Sequence, residues 1–100
     1  MVQEQLVVDA AAAAFDDYSD VVLYDVMHET GTQLGGTLVA LYDQAVEAGD
    51  AAGTRYWLRR DLALQRERAA IDSNDRGAQV EAIPSWQEEM AALGPFLPRP

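Results

Sequence analysis

The chain has 100 residues, 17 Asp and Glu against 7 Arg and no Lys, and a formal net charge of −10. That length suits one domain with one modest core, and the composition, 49% hydrophobic and 24% charged, is that of a folded protein rather than a disordered tail. The absence of cysteine excludes disulfides, thiolate catalysis and Cys-ligated metal sites, the absence of lysine excludes Schiff-base chemistry and a P-loop lysine, and the acidity opposes binding to phosphate backbones.

The charge is divided along the chain. All ten carboxylates up to Asp50 lie in Met1 to Thr54, which has no Arg, and five of the seven arginines follow between Arg55 and Arg68. The division predicts an Arg-rich segment docked against acidic ones, within one chain or across two, and a mainly negative outer surface. No segment has the roughly 20 consecutive apolar residues that span a bilayer. The run Leu6 to Phe15 has no preceding basic residue and is interrupted by Asp9, unlike a signal peptide. A soluble, cytoplasmic protein is expected, with no membrane contact and no direct nucleic-acid binding.

Sparse β-branched residues and abundant Ala, Leu, Gln, Glu and Arg predict an all-α fold, a small bundle of four to six helices that could share its core across a dimer. A single helical domain is expected over residues 1–93. The first helix is placed at Val2 to Tyr18, with Val7, Ala11, Ala14 and Tyr18 on one stripe. Ser19 caps a second helix from Asp20 to about Glu29, whose inward face is Val22, Leu23, Val26 and Met27. Gly31, Gly35 and Gly36 then weaken the pattern, and Thr30 with Gln33 has the spacing of a capping box that restarts a third helix to about Ala48. The rival reading is one helix from Asp20 to Ala48, in which Gly31 and Gly35 let another helix approach closely.

Gly49 and Asp50 read as a helix stop and a fresh cap, and the next helix extends to about Asp72. It carries two apolar stripes on different sides: Leu58, Leu62 and Ala69 form one, Trp57, Leu64 and Ile71 the other. Two stripes predict covering from two directions. The Trp57, Leu64 and Ile71 series has heptad spacing and a large aromatic anchor, so it is the candidate interface, with Arg55, Arg59 and Arg66 orienting a partner through carboxylate pairs. Alternatively, these three apolar residues are ordinary core.

After the turn-prone Asp72 to Asp75, a short helix is expected to end at Ile83, because a proline disfavours helical geometry in the residue before it. Ser85 and Glu88 then cap a last helix to about Leu93. In the alternative, Pro84 only kinks one continuous helix with Ile83, Trp86, Met90 and Leu93 on one stripe. Residues 94–100 form an extended Pro-rich tail.

Convergent catalytic groups are lacking. Asp16-Asp17 and Glu88-Glu89 are adjacent pairs pointing about 100° apart on a helix, unsuited to sharing a proton, and Ser19, Ser73 and Ser85 sit where caps belong. Asp25 and His28 share a helix face as two metal ligands would; two ligands do not make a site, and a solvated His28 is the simpler reading. No catalytic, metal or cofactor-binding residue is assigned and no cofactor is expected. Length, acidity and helical content resemble the WXG100-type helical hairpins, but Trp57 is followed by Leu58 and Arg59, so no residue is carried over. The expected function is a small non-enzymatic protein acting through protein contacts, as a homodimer. The alternative is an acidic inhibitor, antitoxin-like or immunity-like or a nucleic-acid mimic, covering a basic site with Asp9, Asp16, Asp17, Asp20, Asp25 and Glu29.

Overall fold

The computed structural model describes residues 15–94. They are all-helical and form three helices, α1 (Asp20–Glu47), α2 (Ala51–Ala70) and α3 (Arg76–Leu93), where the sequence suggested more. Most of the first expected helix, together with Val7, Val8, Asp9, Ala11 and Ala14, lies outside the described residues, as does most of the Pro-rich tail. Its last part is a turn instead: Tyr18 N–H donates to the Phe15 carbonyl at 3.0 Å.

Helix α1 starts where Ser19 predicts. The Ser19 Oγ accepts from Val22 N–H at 3.2 Å, and Asp20 sits in the first turn, where the helix dipole favours a carboxylate. The helix then runs unbroken for 28 residues, past the position where Thr30 and Gln33 would have restarted it. Thr30 does not cap. Its hydroxyl donates back to the Val26 carbonyl at 2.7 Å, and Thr32 and Thr37 do the same to His28 and Gln33, so these polar side chains are satisfied inside the helix. The cost of three glycines is offset by one long buried stripe: Leu23, Met27, Thr30, Leu34, Leu38, Leu41 and Ala45. Its steps of four, three and four residues repeat after eleven, from Leu23 to Leu34 to Ala45, a period close to that of a straight helix, so the stripe stays on one side for the whole length.

The hinge between α1 and α2 satisfies both helix ends at once. Gly49, at φ 69°, takes the left-handed conformation; its N–H donates to the Val46 carbonyl and the Asp50 N–H to the Ala45 carbonyl, at 3.1 and 2.9 Å, the two hydrogen bonds of a Schellman stop. Asp50 then caps α2 by accepting from Gly53 N–H at 2.9 Å. In the second connection Asp72 accepts from Asn74 N–H and Asp75 from Ala78 N–H, at 2.7 and 3.0 Å. The buried Gln79 amide donates to the Asp72 and Ser73 carbonyls, tying that turn to α3.

Pro84 lies inside α3 and does not end it. Losing one backbone hydrogen bond there costs on the order of 3 kcal/mol, but Val80, Ile83 and Trp86 are all buried by continuing the helix across it, and each fully buried side chain contributes about 1.5–3 kcal/mol. Ser85 accordingly lies in the helix interior and is not a cap.

Both α2 and α3 pack on α1. Gly35 lies beside Leu64 and Gln65, and Gly31 beside Arg68, so α2 runs antiparallel to α1; Arg76 reaches Asp20 while Trp86 reaches Gly31, so α3 runs parallel to it. The core is Leu23, Met27, Leu34, Leu38, Leu64, Val80, Ile83 and Trp86, with Phe15, Tyr24, Val26, Trp57, Ile71 and Met90 packed around it. Of the two glycines that face α2 and α3, Gly31 admits the closest approach, as the single-helix reading required. Gly36 is different: it is exposed and a Cβ there would meet nothing within 4 Å. Gly36→Ala is therefore expected to raise stability by about 0.5–1 kcal/mol, through helix propensity alone; a loss in urea denaturation would contradict this.

Candidate functional site

The two stripes of α2 have different fates. Leu64 is completely buried, and Trp57 and Ile71 pack against the core, so the heptad series faces the chain's own interior. Leu58 and Leu62 are instead 45% and 47% exposed, and Ala69 is exposed too. The covering expected from a second direction is not supplied by the described residues.

The arginines divide in the same way. Arg60 is the clamp between α2 and α3: its Nε and one terminal nitrogen hold both oxygens of Glu89 at 2.7 Å, and the other terminal nitrogen holds Glu67 at 2.7 Å. Glu67 also accepts from the Trp86 indole N–H at 3.1 Å. Arg68 reaches across α1 to the Thr32 hydroxyl at 3.0 Å, and Arg76 ties the start of α3 to Asp20 and to the Phe15 carbonyl, at 2.9 and 3.1 Å. Arg55, Arg59 and Arg66, the three predicted from sequence to orient a contact, are exposed and form no ion pair among the described residues. Arg60 and Arg68 lie four residues either side of Leu64, whose burial only the fold reveals, so no signal in the sequence alone singles them out.

Charge-assisted hydrogen bonds stabilise the ionised forms in this clamp. Burial pushes the Glu67 carboxyl up, but the hydrogen bonds from Arg60 and Trp86 and the charge of Arg60 together outweigh it and hold Glu67 below its ordinary 4.5. The hydrogen bonds from Glu89 and Glu67 raise the Arg60 guanidinium above its already high value. Because the folded value of Glu67 is the lower one, its contribution is complete above the unfolded pKa and is lost as pH falls through the folded value. Glu67→Gln protein should accordingly lose less stability than wild type between pH 5 and pH 3 in urea titrations. Equal losses would remove Glu67 from the acid response.

Beside the clamp, Glu67, Ile71, Ala78, Glu81, Ala82, Ser85 and Trp86 line a shallow, open cleft of about 350 Å³ between α2 and α3. Ser85 has no histidine near it there, since His28 is on α1, exposed, with its ring stacked on Tyr24 at 6.2 Å. Among the described residues no three His, Asp or Glu side chains are grouped to hold a metal ion. Asp16, Asp17, Asp20, Asp25 and Glu29 are all exposed, and of these only Asp20 forms an ion pair among the described residues.

The remaining feature is a face of the α1–α2 hairpin. Leu58 lies two turns before Gln65, which adjoins Gly35, and Val39 lies one turn after Gly35. Val39, Val46, Leu58 and Leu62 therefore flank the same α1–α2 groove. Arg60 and Glu67, which meet α3, are on the other side of α2, so this face points away from α3. Its four apolar residues are each 45–51% exposed.

The described residues form a small three-helix unit, and they leave this one side of it uncovered. No family model, curated protein or solved structure matches the chain. No described helix is long and apolar enough to cross a membrane.

Proposed function

We propose that this is a small non-enzymatic protein that acts through protein contacts, and that its contact surface is the α1–α2 face. The observation that carries this reading is the set Val39, Val46, Leu58 and Leu62, half exposed along one helix–helix groove, beside three arginines with no ion-pair partner among the described residues. Contiguous apolar surface rimmed by charge is characteristic of association sites. Ser19, Asp50 and Asp75 serve as helix caps, and Arg60, Glu67 and Glu89 as a structural clamp, whereas the exposed residues of this face have no such structural task among the described residues. A photoreactive residue placed at Leu62 should cross-link to protein in cells, whereas one at the exposed Gln87 of α3 should not. No adduct at Leu62, or equal adducts at both, would contradict the reading.

A second reading, an acidic inhibitor of a basic partner, is favoured by the exposed Asp16, Asp17, Asp25 and Glu29, whose charge forms no ion pair among the described residues. It requires association that weakens steeply with salt, since exposed charges are screened over about 10 Å at 0.1 M.

A further inference from the structure

The α1–α2 face is self-complementary in charge. On its α1 flank stand the exposed carboxylates Glu29, Asp43 and Glu47; on its α2 flank stand Arg55, Arg59 and Arg66; the apolar strip Val39, Val46, Leu58 and Leu62 runs between them. Because α1 and α2 are antiparallel, the contacts of Gly35 with Gln65 and of Gly31 with Arg68 fix the levels: Asp43 stands near the height of Arg55 and Arg59, and Glu29 within reach of the height of Arg66. Resting on the contact reading above, we propose that the occupant of this face is a second copy of the chain, docked about a two-fold axis parallel to the helices.

The charge pattern selects that axis. Rotation about a line along the helices lays α1 of one copy over α2 of the other at the same height, bringing Asp43 and Glu47 to the second copy's Arg55 and Arg59 and Glu29 to its Arg66. Rotation about a line across the helices lays α1 over α1, carboxylate on carboxylate, and α2 over α2, which like-charge repulsion opposes. The first arrangement is isologous, each contact made twice, and places the four helices α1, α2, α1 and α2 around one shared apolar strip with every neighbour antiparallel. Helix α2 is roughly 30 Å long and two helices packed about 10 Å apart are together roughly 20 Å wide, so the face projects roughly 600 Å². That is of the order of the ~800 Å² per partner that a standard specific interface buries.

The test is light-scattering mass at micromolar concentration for four proteins, with circular dichroism to confirm folding. Wild type is expected at twice the chain mass. Leu58→Glu is expected to be folded and monomeric. Asp43→Arg and Arg59→Glu, each alone, place like charges opposite one another twice per dimer and are expected to raise the dissociation constant by at least about tenfold. Mixing those two variants should restore wild-type affinity, because each new charge then faces its opposite. A monomeric wild type overturns the proposal, as does a dimer indifferent to Leu58→Glu or a mixture that recovers nothing. Adducts at Leu62 with a protein of another mass would overturn the second copy while leaving the contact reading standing.

Discussion

Leu64→Ala is expected to cost about 3–5 kcal/mol, a large share of the roughly 5–15 kcal/mol that holds a domain folded, whereas Leu58→Ala, six residues earlier on the same helix, should cost under about 1 kcal/mol. Leu64 is fully buried at the junction of α2 with Gly35 and the Leu34 and Leu38 turns of α1. Truncating it removes contacts that rigid helix backbones cannot collapse to replace. Leu58 is already nearly half in water, so its truncation removes little buried area. Urea denaturation of the two variants beside wild type measures the difference; equal losses would mean that both stripes of α2 are covered within the chain.

Gly31→Leu is expected to be damaging on the same scale, with loss of cooperative unfolding or a destabilisation of about 3 kcal/mol or more. A Cβ at Gly31 would lie 2.8 Å from the Arg68 Nε and 3.2 Å from the Trp86 ring, at the point where all three helices meet. Alanine is a milder case. The Arg68 side chain can swing away, giving up its bond to Thr32, and a gain of about 1 kcal/mol in helix propensity offsets part of the crowding against the fixed indole. The ordering expected in denaturation is thus wild type, then Gly31→Ala, then Gly31→Leu far below. A leucine variant as stable as wild type would refute the close approach of the helices at this position.

How much of this was legible in the sequence depended on whether the governing signal was local. Ser19 and the Gly49–Asp50 pair are read correctly because a cap needs only its own first turn and a left-handed stop only its glycine. The two continuous helices were harder. Thr30 with Gln33, and Pro84 followed by Ser85 and Glu88, are genuine local stop-and-restart patterns, yet the burial of Met27, Leu34, Ile83 and Trp86 against one another outweighs them. The two stripes of α2 were visible, but not which of them faces inward. That choice is made by Arg60 and Arg68, whose partners Glu89 and Thr32 are on other helices and leave no periodicity to read. Gly31 shows the intermediate case: its spacing from Gly35 suggested a close helix contact, while the identity of its neighbours, Arg68 and Trp86, required the fold.

Arg55, Arg59 and Arg66 keep their place beside an exposed apolar stripe, but that stripe is Leu58 and Leu62 with Val39 and Val46 of α1, and not Trp57, Leu64 and Ile71. A peripheral helix needs one buried stripe, and α2 already has it. The second stripe supports the proposed role in protein contact, and the acidic and basic flanks on either side of it support a second copy as the proposed partner.

The most direct test of that account is the melting temperature followed over a hundredfold range of protein concentration, for wild type and for the Leu58→Glu, Leu62→Glu double variant. Association stabilises the folded state by mass action, so a dimer melts higher as it is concentrated. The account predicts a rising melting temperature for wild type and a constant one for the double variant, which should still unfold cooperatively. A constant value for wild type, or the same rise in both proteins, would contradict it.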